Sequence, residues 1–455
     1  MSQRQIITSL IFHGLILFNL ILYGFYPNFY THGFSWMTGG TSSPTLLYVA
    51  CYTGQVTTLS LHQHQDGGYD LSEVSRRSDS TASSPSCLAL DDEHLTVFLV
   101  NEALKSPEGS LSSWKIDSNG ALKEIDRVDT IPGGVSAAIS GSSLSTFSVG
   151  TDNRLSPLQT LTFTLPHPGP NPARQEAPHP HDVILDPTGR YLLVPDLGAD
   201  LLRVFSIAET TNEMLERVAF PAKPGTGPRH ALFWKPDGQE STFLYVVTEL
   251  DNSVTGYLVE YLQDGELSLQ EISRSSTYGP KSAAPKGALA AEVALVGEHL
   301  YVSNRYDGTF TTPQGRASDS IATFALSATT GRLEFQRLSP AYGTAPRHFS
   351  FNAAGSKLAV AVFQSHHAGS SPLVPKGRQR GFLQRVLGRD DGGISDPSQV
   401  EGENGGQDEV GEEASVVLIA RDVSTGALGL DGPVAEIGLG SKGDGGQATW
   451  VLWDE

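Results

Sequence analysis

The 455-residue chain sets 31 Lys and Arg against 50 Asp and Glu, and its net charge of −19 excludes a binder of nucleic-acid backbones. A shielded group of arginines can still hold a small anion. With 48 Gly, 27 Pro and only 18% charged residues, and with Val, Thr, Tyr and Phe in short runs between turn residues, the composition is that of an all-β protein.

The chain opens on an apolar run, Ile6 to Tyr26, interrupted chiefly by His13 and Asn19. Its length predicts an N-terminal apolar helix able to span a bilayer. The nearest small-residue cleavage site is Thr38-Gly39-Gly40, so residues 1–44 read as a signal anchor or signal peptide followed by a linker. Arg4 alone precedes the run and no Lys or Arg follows before Arg76, which favours a lumenal body, membrane-anchored or in the secretory pathway through residues 6–26. No Asn-x-Ser/Thr sequon occurs, and the alternative is a cytoplasmic protein with a misassigned start.

Residues 45–455 read as one repeat domain. Leu46–Tyr52 and Gln55–Leu61 are strands without a preceding partner. An inner-strand signature then recurs near Cys87, Val135, His181, His230, Ala291 and His348, and last at Gln447–Trp453. Most copies are spaced by roughly 45–60 residues, the period of a four-stranded blade. The final copy ends the chain after one strand, and the early strands supply what it lacks. The expected architecture is an all-β, seven-bladed β-propeller closed by N- and C-terminal strands in one blade, which removes exposed sheet edges. The pattern disappears between Gln364 and Ser415, where a basic half (Lys376 to Arg389) precedes an acidic, Gly-rich half. Residues 366–414 read as a disordered charged insertion within the sixth blade. Cys51 and Cys87 sit in apolar runs and read as buried thiols.

Inner strands line a propeller's central channel. His181, Arg229, His230, Arg347 and His348 stand at the starts of three of them, so they share one channel mouth. Glu249 and Arg305 end second strands at the same rim. A carboxylate beside guanidinium groups is a usable acid or base, and arginines grip carboxylate or phosphate in bidentate fashion. His62-x-His64 and His366-His367 lack a partner set for a metal, and no Gly-x-Ser-x-Gly elbow or phosphate loop is present.

The stretch Pro178–Asp200 resembles the seven-bladed lactonase family, which includes 6-phosphogluconolactonases and carboxy-cis,cis-muconate cyclases. Gly227-Pro228-Arg229-His230, Thr248-Glu249-Leu250, Ser303-Asn304-Arg305 and Ala345-Pro346-Arg347-His348 fit it too. The resemblance covers residues 45 to 455 apart from the insertion. It implies His181, Arg229, Glu249 and Arg305 as the catalytic cluster, with Gln364 near the pocket beside His230, Arg347 and His348 as substrate-binding residues. The expected function is a metal-independent lactonase, with no cofactor, acting on an anionic sugar lactone such as 6-phosphogluconolactone. A muconate cyclase running the intramolecular reaction and a non-enzymatic binding scaffold are the alternatives. The expected partner is an anionic small molecule, and the oligomeric state is left open.

Overall fold

The computed structural model describes residues 45–78, 84–102, 104, 108–131, 133–136, 139–140, 142–263, 265–365, 412–442 and 447–455. The Ile6–Tyr26 run and nearly all of 366–414 lie outside them, as does the helix expected before the propeller. Among the described residues every named element is a strand, and no helix is long and apolar enough to cross a membrane.

The described strands form six four-stranded sheets, one five-stranded sheet and a small hairpin (Phe310–Thr311 with Ala317–Ser318), with the sheets numbered from the one that begins at Pro85. The fourth sheet shows the plan: Pro228–Trp234, Thr242–Thr248, Ser253–Tyr261 and Leu267–Ser276 pair antiparallel in chain order. The second strand is buried throughout because both of its faces meet neighbouring sheets. Outer strands such as Leu333–Pro340 are half-exposed, as expected where one face meets solvent. The termini close the ring as the truncated last repeat requires: Leu46 lies opposite Asp454 and Val49 opposite Val451.

Two expectations need correction. The inner strand expected at Val135–Ile139 is divided into Gly134–Ser136 and Ile139–Ser140, which pair with each other. The strand Glu412–Ala420 also begins inside the stretch assigned to the insertion, with Glu412, Glu413 and Ala414 opposite Ser365, Gln364 and Phe363. Backbone pairing decides strand membership there, so the acidic composition misleads.

The core lies between adjacent sheets. Trp234, Phe243, Tyr245, Leu300, Val302 and Phe324 fill one such interface. A repeated tie reinforces it: the hydroxyls of Tyr191, Tyr245 and Tyr301 donate to the carbonyls of Gly265, Gly331 and Gly426 in the outer hairpin of the next sheet, at 2.7, 2.8 and 2.6 Å. Gly331 is required there. Its φ is +64°, and a Cβ would meet the Phe243 ring at 2.3 Å.

Candidate active site

In most inner strands the ladder to the second strand slips near its start. The slip falls between Pro85 and Cys87, Pro228 and His230, Ala290 and Val293, and Thr344 and His348. Such a bulge leaves a residue unpaired and re-aims its side chain. Arg229 is that residue in the fourth sheet, and Arg347 lies within the sixth sheet's slip. In the third sheet Pro180 bridges Asp196 before Ile184 pairs with Leu193, which places His181 equivalently. His181, Arg229 and Arg347 thus form one tier. The residues that follow them, Asp182, His230 and His348, form a second tier one step further along the channel wall.

The ends of the second strands supply the rest of the rim. Glu249 N donates to Gly227 O, Glu102 N to Ser84 O and Tyr52 N to Gln447 O, at 2.8, 2.9 and 2.9 Å. These equivalent bonds set Tyr52, Glu102 and Glu249 at matching positions in three sheets. Arg305, opposite Leu289, ends the fifth sheet's second strand in the same way. Gln364 stands in the strand Lys357–Ser365, but its side chain lies outside the described residues.

Glu249 is the hub. Its Oε2 lies 2.9 Å from Arg229 Nε and 2.8 Å from Arg305 Nη2, and its Oε1 pairs with Arg174 Nη1. The side chains of Glu249, Arg229 and Arg305 are only 2%, 1% and 7% exposed. Burial alone raises the Glu249 carboxyl, but Arg174, Arg305 and Arg229 outweigh it and hold the group well below the usual carboxylate range. Glu249 is therefore a fixed counter-charge and a poor base. Burial, reinforced by Arg305, lowers Arg229 to about 9 against the pull of Glu249. Arg229 Nη1 and Arg305 Nε are buried without a hydrogen-bond partner.

His181 faces this cluster. Burial first, then Arg229, His230, Arg347 and Arg305, push its pKa well below 6.5, so the imidazole is neutral. Its Nδ1 is buried and unpartnered. Across the rim, Arg347 Nη2 lies 3.9 Å from Glu102 Oε2, its guanidinium sits 5.3 Å from the Tyr52 ring centroid, and Tyr52 Oη donates to Glu102 at 2.5 Å. Burial raises the Glu102 carboxyl against the opposing Arg347.

His230 and His348, expected to line the same mouth, stand one step further along it: the His230 ring lies 5.2 Å from the His181 ring, centroid to centroid, and both His230 and His348 meet Glu292. His230 Nδ1 lies 2.9 Å from Glu292 Oε1, and His348 Nε2 lies 3.6 Å from Glu292 Oε2. His348 Nδ1 accepts from Val451 N at 3.3 Å, and its ring stacks on Trp450 with centroids 3.6 Å apart. Burial lowers His230 to about 3 and His348 to about 4. Sequence reading did not assign Glu292 to the site; it occupies the His230 position in the otherwise apolar inner strand Leu289–Val296.

Buried aspartates at the ends of second strands or beyond them lock the starts of inner strands. Asp196 accepts from His179 N, Asp200 from Gly225 N and Gly227 N, and Asp319 from Tyr306 N and Ala345 N. Thus Asp196 sets His181, Asp200 sets Arg229, and Asp319 sets both Arg305 and Arg347. Close approach adds a constraint at Gly198, where a Cβ would lie 1.8 Å from Ala177 O and 2.8 Å from His179 N. Gly198→Ala is expected to cost ~1–3 kcal/mol in urea unfolding and to lower turnover by moving the His179–His181 segment.

Fold and site together define a β-propeller whose channel mouth gathers arginines around one ionised carboxylate and a neutral histidine. Residues 46–375 match the family described as "Lactonase, 7-bladed beta-propeller", and the chain belongs to that family. It is 29% identical over 335 residues to a protein of Arthroderma benhamiae named "Probable 6-phosphogluconolactonase", covering 70% of this chain and 80% of that one. It is also 29% identical over 293 residues to the 6-phosphogluconolactonase of Formosa agariphila, covering 61% and 77% of the two chains. The periplasmic gluconolactonase of Pseudomonas aeruginosa shares the fold, with a TM-score of 0.62 at 22% identity over 91% of this chain and 99% of that one.

Proposed function

We propose that this lactonase hydrolyses an anionic sugar lactone such as 6-phosphogluconolactone without a metal ion, at the mouth of a seven-bladed ring in which the five-stranded sheet is one blade. The observation that carries this reading is the surplus of buried positive charge. Arg174, Arg229 and Arg305 share one paired carboxylate, Glu249, with Arg305 Nη2 also donating to Ala290 O, and Arg229 Nη1 and Arg305 Nε lack hydrogen-bond partners. Buried donors without acceptors are costly and await a negative group.

In the proposed reaction, water attacks the lactone carbonyl carbon while His181 takes its proton. The developing oxyanion meets Arg229 and Arg305, whose fixed positions require no rearrangement as charge appears. The ring C–O bond breaks, and Glu102, held toward its protonated form by burial, gives a proton to the leaving alkoxide; the product acid then ionises, and transfer of a proton from His181 to Glu102 through solvent resets both groups. Cyclisation of a carboxymuconate is a different step, in which a carboxylate oxygen adds to a C=C carbon and the adjacent carbon takes a proton, but it would draw on the same arginines and proton donor, so it belongs in the same assay.

The test is turnover of 6-phosphogluconolactone, gluconolactone and carboxymuconate by the full chain before and after dialysis against a chelator. Chelator-resistant opening of the phosphorylated lactone is the expected result, and loss of activity on chelation overturns metal independence. Because burial and the neighbouring arginines push His181 well below 6.5, kcat/KM on gluconolactone, which carries no phosphate to titrate in that range, should show no inflection between about pH 6 and 7. A stopped-flow pH profile with a limb near 6.5 would remove His181 from the role of base.

A further inference from the structure

Arg174 belongs to none of the repeats. It sits on a strap between the strand Leu155–Thr162 and the start of the third sheet, in the run Pro166-His167-Pro168-Gly169-Pro170-Asn171-Pro172-Ala173-Arg174-Gln175. Four prolines restrict this backbone before folding. The strap is also bonded to itself: Gly169 N donates to Gln175 O, and Arg174 N and Gln175 N donate to Asn171 O, at 2.9, 2.9 and 2.8 Å. Gln175 is fully buried. Its Oε1 accepts from Asn171 N, and its Nε2 donates to Leu197 O, both at 3.0 Å. The strap is therefore a stiff arch tied to the third sheet, yet it delivers a guanidinium to Glu249 on the fourth.

That contact is surplus to what Glu249 needs as a buried ion, since Arg229 and Arg305 already flank it. The three guanidiniums differ in depth. Arg174 is 19% exposed, against 1% for Arg229 and 7% for Arg305. A guanidinium presents five donors in a planar fork, and Glu249 engages this one through Nη1. Arg174 is thus the guanidinium that a ligand entering from solvent meets first, ahead of the two deep ones.

We propose that Arg174 is a specificity-determining residue that grips the terminal phosphate of the substrate while its Nη1 stays on Glu249. This inference rests on the lactonase reading above and names the group that selects a phosphorylated over an unphosphorylated sugar lactone. Phosphate suits such a fork because it accepts two parallel N–H bonds. An arch that is already rigid loses little freedom when it binds.

The test compares the full chain with its Arg174→Ala and Arg174→Lys variants. Calorimetric titration with 6-phosphogluconate, gluconate and inorganic phosphate reads binding without turnover, and kcat and KM are measured on the phosphorylated and unphosphorylated lactones. Arg174→Ala should weaken 6-phosphogluconate and raise KM for its lactone by about 10- to 100-fold, with kcat changed little. Gluconate affinity and gluconolactone kinetics should fall too, because Glu249 loses one counter-ion, but by a factor at least about fivefold smaller, and the ratio of the two losses reads the phosphate contact. Arg174→Lys should recover part of the loss, because it keeps the charge without the fork. Equal losses on both substrates would assign Arg174 to holding Glu249 and overturn the proposal. So would a phosphate-specific loss seen only in Arg347→Ala. Failure of the wild-type chain to open either lactone removes the lactonase reading instead. Phosphate binding that depends on Arg174 would still mark the anion site in that event.

Discussion

Replacing Arg229 with methionine is expected to lower kcat/KM by about 10²–10³-fold while leaving the fold intact or more stable. The activity loss follows from the position of Arg229, whose Nη1 is buried without an acceptor and so stands ready for the reaction's negative charge. The stability argument runs through its pKa. Burial and Arg305 lower the group from 12.5 to about 9, so at neutral pH the folded protein carries this charge at a cost that the unfolded chain avoids. A methionine of similar length removes that cost. Glu249 keeps Arg305 at 2.8 Å and Arg174 as counter-ions. Arg229→Lys should be almost as inactive, since an ammonium cannot contact Glu249 and the substrate from two edges of one plane. Denaturant titration and steady-state kinetics on the same preparations check both halves. A methionine variant that unfolds more readily than wild type would contradict the electrostatic account.

Glu249→Gln is expected to act in the opposite sense on stability. Removing the carboxylate leaves three guanidiniums, two of them almost fully buried, with no negative partner among them. Breaking a buried ion pair from one side typically costs ~3–5 kcal/mol, which shows directly as a lower denaturation midpoint. Inorganic phosphate should restore part of the loss by occupying the vacated charge. Combining Glu249→Gln with Arg229→Met should be less harmful than Glu249→Gln alone, and the double-mutant cycle measures that coupling. A Glu249→Gln chain as stable as wild type would mean that the arginines are balanced elsewhere.

Much of the candidate site was legible because the repeat exposes it. His181, Arg229 and Arg347 occupy one position in three inner strands, and Glu249 and Arg305 occupy one position in two second strands. Glu102 and Tyr52 hold that same rim position by equivalent backbone bonds. Each follows a clear second strand, at Asn101 and Cys51, so the signal was present in the alignment of repeats. Asp200 and Asp319 had a weaker signal as polar residues beside turns.

The sequence by itself determined the all-β repeat, the closure of the ring by its two ends, and the columns in which charged residues recur. Periodicity carries that information because strand patterning and turn chemistry are local. Only the tertiary structure decided which members of a column face the reacting centre. A slip of one residue in a ladder re-aims a side chain, which sets His181 and Arg229 in one tier and His230 and His348 in the next, where both meet Glu292 while the His230 ring stays 5.2 Å from that of His181. It also decided that Arg174 reaches Glu249. That strap follows no period, so its contact across two sheets is set by packing at Gln175 and Gly198 and has no counterpart in the repeat.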